Sequence, residues 1–148
     1  MPRDFMWSLS ATSIDGSCLA TLGSESQLEE LRLRGNCLTE FPLPRLDKLQ
    51  RLDLSECAIA DDQLVALSGL PRIIRLDLSN THIEGSGLAN LKAGVPLIQL
   101  TLTDCSLSIL PIPSLPRLKY LDVSFTSIGD DALRSLAAAP DVRVLRLN

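Results

Sequence analysis

The sequence has few of the features on which most enzymes depend. Aromatic residues make up only 3% of its 148 residues, although 45% are hydrophobic. It contains neither a GxSxG nucleophile turn nor a GxxxxGK[ST] phosphate-binding loop. The single histidine, His82, has no evident partner to orient it for proton transfer, so we expect a solvent-exposed side chain. The chain is therefore predicted not to be an enzyme, and no cofactor is expected.

Charge and hydropathy argue against two classes of partner. The formal net charge is −4, whereas nucleic-acid phosphates require a basic surface. No apolar run approaches the roughly 18 residues of a membrane span. The first residues also lack the continuous apolar segment of a secretory signal. We therefore expect a cytoplasmic protein that binds neither nucleic acid nor a membrane.

The four cysteines do not form a recognisable metal site. Cys18, Cys37, Cys57 and Cys105 contain no CxxC pair and no zinc-ligand spacing, so no metal is expected. An even number of cysteines would also suit disulfides in a secreted protein. Without a secretory signal, reduced thiols in the cytoplasm are the favoured interpretation.

A short aliphatic pattern recurs along the chain, and leucine dominates it. The second residues of its seven strand-like segments lie at positions 7, 31, 52, 76, 100, 121 and 145, so successive spacings are 24, 21, 24, 24, 21 and 24. The series 24-21-24 therefore occurs twice, and positions three coils apart correspond. Residues 41–44 (FPLP) correspond in this way to 110–113 (LPIP). We predict one domain over residues 1–148, built by duplication of a unit of three coils.

The clearest copy of the pattern identifies a family. Leu28, Leu31, Leu33, Asn36 and Leu38 match LxxLxLxx(N/C)xL, so the chain resembles the leucine-rich-repeat proteins. The resemblance covers roughly residues 7–148 and implies an α/β solenoid, or horseshoe, that acts in protein–protein recognition. Its concave face would be a parallel sheet of seven short strands. The LDLSxTxI and DDxLxxL segments are similar to repeats common in bacterial proteins.

The convex side is expected to differ between long and short coils. In the 24-residue coils, Asp61 or Asp62 and Asp130 or Asp131 could cap a short helix. Leu64, Leu67, Leu133 and Leu136 would then face the core. The 21-residue coils lack this signal, and their prolines favour extended segments. In this family, one residue between the strand and the convex side of each coil stacks on its equivalents in neighbouring coils, and we call this set the ladder column. Its side chains should point inward and form hydrogen bonds with backbone groups. The column comprises Thr12, Asn36, Cys57, Thr81, Cys105 and Thr126.

The outward strand positions form the candidate binding face. They mix both charges, and surface ion pairs that keep a parallel sheet soluble would explain many of them. The functional hypothesis is a docking surface for a protein, with Arg51, Arg75 and Tyr120 as anchors because arginine and tyrosine are enriched at binding hot spots. The full candidate set is Arg32, Arg51, Asp53, Arg75, Asp77, Gln99, Thr101, Tyr120 and Asp122.

Asp53 and Asp77 should lie side by side on neighbouring strands and repel each other. A local lattice of carboxylates with Arg32, Arg51 and Arg75 is the simpler explanation of this pair. A cation site is the alternative.

Three functional hypotheses remain open. The array could be a protein-binding scaffold, the recognition arm of a larger enzyme such as a ubiquitin ligase or kinase, or a structural spacer that self-associates. No polar cap follows Leu147. We therefore expect a fragment of a longer chain, whose uncapped C-terminal coil could pair with another copy.

Overall fold

The computed structural model describes residues 5–23 and 26–148. Seven three-residue strands in this part of the chain form one parallel sheet in sequence order. They are β1 (Met6–Ser8), β2 (Glu30–Arg32), β3 (Arg51–Asp53), β4 (Arg75–Asp77), β5 (Gln99–Thr101), β6 (Tyr120–Asp122) and β7 (Val144–Arg146). The register aligns the middle residue of each strand with that of the next, as between Leu52 and Leu76. The predicted solenoid and its register are confirmed.

The core lies behind this sheet because alternate strand residues point to opposite faces. Leu76 and Leu78 are 1% and 0% exposed, whereas Arg75, the residue before Leu76, is exposed. Parallel sheets usually need cover on both faces. Here one face packs on leucines and the other is polar, so a binding face can remain open to solvent.

The two coil lengths differ on the convex side, as predicted. Each 24-residue coil contains short helix, and the two 21-residue coils, between β2 and β3 and between β5 and β6, contain none in the described residues. The helices are four 3-10 segments (Ser17–Thr21, Asp61–Gly69, Ser86–Asn90 and Arg134–Ala138) and one α-helical turn, α1 (Asp130–Leu133). In the part of the chain that the structure describes, no helix is long and apolar enough to span a bilayer.

The leucines of the predicted helices are covered to different extents. Leu64 and Leu67 are buried, whereas Leu133 is half-buried and Leu136 packs half-buried against the core, because no further coil covers them in the structure. The predicted aspartate caps are wrong, since no aspartate side chain forms a cap hydrogen bond at either of the two described helix starts. The helix starting at Asp61 is capped by Gln63, whose Oε1 accepts a hydrogen bond from the Ala60 N–H at 3.0 Å.

The Asp61 carboxylate instead stabilises the following coil. Its oxygens accept hydrogen bonds from the N–H groups of Glu84 at 2.6 Å, Gly85 at 3.1 Å and Gly87 at 2.5 Å. These groups begin the next 3-10 helix, where backbone donors have no partner within the helix. One side chain therefore joins two successive coils.

The ladder column points inward in the interior coils, as the family resemblance implies, whereas Thr12 of the first coil is exposed. Asn36 donates from Nδ2 to the carbonyl oxygens of Leu9 at 2.8 Å and Leu33 at 2.7 Å. The Cys57 thiol donates to the same Leu33 oxygen at 3.1 Å. Cys57 and Cys105 are buried, and burial raises the pKa of both thiols. Their role in this column is to satisfy backbone groups of neighbouring coils.

The residue before each ladder position has a left-handed backbone. These six residues have φ between 51° and 72° and are Ala11, Gly35, Glu56, Asn80, Asp104 and Phe125. Only glycine adopts this conformation without steric cost, and bulky residues there are true outliers. Gly35, Asn80 and Asp104 tolerate this conformation, whereas Ala11, Glu56 and Phe125 disfavour it, so three of the six turns carry a backbone cost.

Candidate functional site

A shallow groove of about 270 Å³ runs across the exposed face of the sheet. Its walls come from strands β2 to β5, so the residues are positioned by rigid backbone. Seven of the nine predicted site residues line it: Arg32, Arg51, Asp53, Arg75, Asp77, Gln99 and Thr101. Tyr120 and Asp122 lie on the next strand, β6.

Glu30 organises the β2 end of this groove. Its Oε1 lies 2.5 Å from Nη2 of Arg32, and its Oε2 lies 3.2 Å from Nη1 of Arg51. Burial disfavours the charged carboxylate, but the hydrogen bonds from both arginines outweigh it and lower the pKa of Glu30. Glu30 is not among the residues predicted from the sequence, although its position beside Arg51 in the predicted register was a usable signal.

The predicted lattice between the paired aspartates and the arginines is wrong. Oδ1 of Asp53 accepts hydrogen bonds from the Ser55 N–H at 3.0 Å and hydroxyl at 2.6 Å. Oδ1 of Asp77 accepts one from the Ser79 N–H at 3.0 Å. Short polar side chains commonly bind the backbone two residues on in this way. Each aspartate thus fixes the turn leaving its own strand, while two nearby arginines bind Glu30.

The serines two positions after β3 and β6 lie beneath the exposed face. Ser55 is 7% exposed and Ser124 is 3% exposed. Their backbone N–H groups bind Asp53 and Asp122, which draws them under the sheet surface. The turns that follow these two strands therefore add little to the polar face.

Arg75 differs from the other groove arginines. Arg32 and Arg51 are paired with Glu30, but none of the six ion pairs found in residues 5–23 and 26–148 includes Arg75. The same six pairs also leave out Asp53 and Asp77. The β4 part of the groove thus presents a guanidinium group and a carboxylate that form no ion pair within the described residues, although the more distant Arg34 attracts the carboxylates of both Asp53 and Asp77.

Tyr120 and Asp122 form a separate cluster that is closed on itself. The Tyr120 hydroxyl donates to Oδ2 of Asp122 at 3.1 Å, and the Arg146 guanidinium lies 5.4 Å from the Tyr120 ring centre. Asp122 is only 7% exposed. Burial disfavours its charged form, but hydrogen bonds from Ser124 and Tyr120 outweigh burial and lower the pKa of Asp122. Its carboxylate is less available to a partner than those of Asp53 and Asp77.

The chemistry of the groove is that of a binding surface with mixed charge. In the described residues, no cluster of three or more histidine, cysteine or carboxylate side chains could hold a metal ion. His82 is exposed, as predicted. The register instead produces two stripes, with Arg51 beside Arg75 and Asp53 beside Asp77.

Comparison with protein families gives two matches. The family described as "At1g61320/AtMIF1, LRR domain" matches residues 44–130, and the family "Leucine Rich Repeat" matches residues 27–49. The first match alone covers more than half of the chain.

Curated relatives include osteomodulin and a tubulin chaperone. Osteomodulin of Rattus norvegicus is 35% identical over 129 residues, which is 83% of this chain and 30% of osteomodulin. Osteomodulin of Bos taurus is 32% identical over 143 residues, covering 95% of this chain and 33% of the relative. Tubulin-specific chaperone E of Danio rerio is 36% identical over 107 residues, covering 64% of this chain and 20% of the chaperone. The chain thus spans a third or less of the length of these relatives.

Proposed function

The chain belongs to the leucine-rich-repeat family, and from this membership and the geometry of the groove we propose that it binds a protein partner on the exposed face of its sheet. Domains of this family generally act in protein interaction and are typically non-catalytic. Binding on this particular face is the finer step, and the unpaired Arg75 is the observation that carries it.

Three physical features support this choice of face. The groove residues project from strands whose backbone is already fixed, so little ordering entropy is lost when a partner binds. Arg75 is exposed and has five N–H donors, which suits it to a carboxylate of a partner. Arg51 lies beside it in the register, so a partner group placed between them contacts two guanidinium groups.

The test is charge reversal on opposite faces of the chain. The partner is first isolated by cross-linking it to a residue in the groove. The double substitution Arg51→Glu with Arg75→Glu should then weaken binding of this partner by at least about 2 kcal/mol if both residues are hot spots. Both side chains are exposed and Arg32 still pairs with Glu30 when Arg51 is replaced, so the chain should stay folded and the melting temperature should fall by no more than about 4 °C. Calorimetric titration provides the affinity.

The double substitution Lys92→Glu with Arg134→Glu is the matched control, because both side chains are exposed on the convex side. Equal losses from both faces would indicate diffuse charge attraction. A loss confined to the convex-side double substitution would refute the proposed face.

The alternative role is a recognition arm of a larger enzyme of the ubiquitin ligase or kinase type. It requires a catalytic domain elsewhere in the same polypeptide. The full-length reading frame tests it directly.

We further propose that the 148-residue chain self-associates through β7. Val144, Leu145 and Leu147 are 42%, 38% and 50% exposed, and β7 pairs with β6 alone within the described sheet. Such an edge strand offers unpaired backbone groups to another copy. Sedimentation should show an apparent mass that rises with concentration and falls when polar residues replace Leu145 and Leu147. A constant monomer mass would refute this proposal.

A further inference from the structure

Two pairs of like charges lie across the same two strands. Arg51 is beside Arg75, and Asp53 is beside Asp77, on strands that are about 4.8 Å apart. Like charges directly opposite each other destabilise a sheet. All four side chains line one groove, so a molecule in that groove meets both pairs at once.

The chain neutralises these charges unevenly. On β3, Glu30 binds Arg51 at 3.2 Å, and both polar groups of Ser55 bind Asp53. On β4, Asp77 accepts the Ser79 N–H and, in the part of the chain that the structure describes, belongs to no ion pair. The Arg75 guanidinium takes part in no ion pair of the described residues. Most of the uncompensated charge therefore lies on β4.

We propose that the two pairs form a clamp for an extended partner segment with an acidic and a basic residue two positions apart. The acidic side chain lies between Arg51 and Arg75, and the basic side chain lies between Asp53 and Asp77. This inference rests on the proposed function and specifies the partner's chemistry. The partner segment can run in either direction along the strands, because its fit to the clamp depends only on the positions of its two charged side chains.

The distance between the arginine pair and the aspartate pair requires the partner segment to be extended. Arg75 and Asp77 are two positions apart on one strand, and residues i and i+2 of any extended chain lie on the same side about 6.6 Å apart. An acid-x-base segment therefore has the same charge spacing as the strand it faces. Adjacent acidic and basic residues would point to opposite sides and could engage only one pair.

The two signs together also select against other ligands. A carboxylate suits the paired guanidinium groups because charge-assisted hydrogen bonds to arginine are strong and can be bidentate. A phosphorylated side chain carries a charge of about −1.5 to −2 at pH 7 and would be repelled more strongly by the neighbouring Asp53 and Asp77. A segment of one sign satisfies one pair and is repelled by the other.

The first experiment titrates the 148-residue chain with capped ten-residue peptides while amide shifts are recorded by NMR. One peptide contains a glutamate and an arginine two positions apart among serines and threonines. A second has the same composition with the two charged residues adjacent, and a third has phosphoserine in place of glutamate. The first should shift the amides of β3 and β4. The second should bind about tenfold more weakly, as expected for one lost charge-assisted contact.

The second experiment assigns the pairs by double-mutant cycles. Arg75→Gln is combined with a glutamate-to-glutamine peptide, and Asp77→Asn with an arginine-to-glutamine peptide. The asparagine retains an oxygen for the Ser79 N–H, so the turn is preserved. Coupling should appear in these two combinations and be absent in the crossed ones. Lys92→Gln should couple with neither peptide.

Four results would overturn the clamp: equal affinity for the first two peptides, tighter binding of the phosphoserine peptide, coupling in the crossed combinations, or no binding of any peptide. If the clamp fails while Arg51→Glu with Arg75→Glu still weakens binding of the isolated partner, the proposed function stands without it. If neither result is obtained, both proposals fail.

Discussion

Strands β4 and β7 lie three coils apart and have leucines at equivalent positions, but their surroundings differ. Leu76 and Leu78 of the β4 coil are 1% and 0% exposed. Their equivalents Leu145 and Leu147 are 38% and 50% exposed. β4 lies between β3 and β5, whereas β7 has only β6 as a neighbour in the described sheet. Burial in a solenoid is thus supplied by adjacent coils and is not a property of one repeat.

The ladder position shows the same contrast for a polar side chain. Thr12 and Thr81 are also three coils apart, and each hydroxyl donates to the carbonyl oxygen three positions before it, at 2.6 and 2.7 Å. Thr81 is 3% exposed, whereas Thr12 is exposed to solvent. The local bond is the same, so the difference in exposure comes from the coils that flank Thr81 on both sides.

The largest difference is expected for a charge placed in the core. Leu78→Asp should leave no folded state that unfolds cooperatively, because an unpaired buried carboxylate costs several kcal/mol against a total free energy of unfolding of about 5–15 kcal/mol. Leu147→Asp should change the free energy of unfolding by no more than about 0.5 kcal/mol, as for other surface substitutions. Urea denaturation followed by circular dichroism measures both. Equal effects of the two would contradict the comparison.

A smaller but still large difference is expected at two glycines. Gly85 has φ of 114°, and a Cβ there would clash with the Ile109 carbonyl oxygen of the next coil. Gly85→Ala should therefore cost at least about 2 kcal/mol from the left-handed backbone and the clash. Gly129 has φ of −101°, and no heavy atom lies within 4 Å of where its Cβ would be, so Gly129→Ala should stabilise by about 0.4–1 kcal/mol. Destabilisation by Gly129→Ala in thermal unfolding would show that the last coil is packed more tightly than the structure indicates.

Asp61 and Asp130 provide a matched pair of carboxylates, again at equivalent positions of the two three-coil units. Asp61→Ala should cost about 1–3 kcal/mol, because three backbone N–H groups of the next coil lose their acceptor. Asp130 is exposed at the start of α1, so Asp130→Ala should cost less than about 1 kcal/mol. Amide hydrogen exchange at Gly85 and Gly87 should accelerate only in the Asp61 variant. Unchanged exchange there would contradict the role assigned to Asp61.

The smallest effect should be independent of position in the array. Glu56 and Phe125 have φ of 59° and 56°, and this backbone cost is local to each residue. Glu56→Gly and Phe125→Gly should each stabilise the chain by up to about 1 kcal/mol in thermal unfolding, since glycine tolerates the conformation. The exposed ion pair of Glu56 with Arg34 offsets little of this gain. A gain at one site and a loss of similar size at the other would show that the left-handed turn also depends on its neighbours.

The sequence predicts strand register well because the LxL alternation and the two coil lengths repeat without ambiguity. It predicts interactions between coils poorly. Asp61 was assigned to its own helix, and its real partners, from Glu84 to Gly87, belong to the next coil. Arg32 and Arg51 were assigned to a lattice with Asp53 and Asp77, and both bind Glu30 instead. Phe125 carries no local signal for a left-handed backbone, which asparagine and glycine usually give; only its alignment with Gly35 and Asn80 in the repeat indicates it.

The hydrogen bonds of Asp61 also have a kinetic consequence. The acceptor belongs to one coil and its three donors belong to the next, so neither coil completes its backbone bonding alone. We expect these two coils to form together in the folding nucleus, with contacts of β1 and β7 forming later. Under force applied at the two termini, the outer coils should therefore detach first, and the segment joined by Asp61 should give the last and highest rupture.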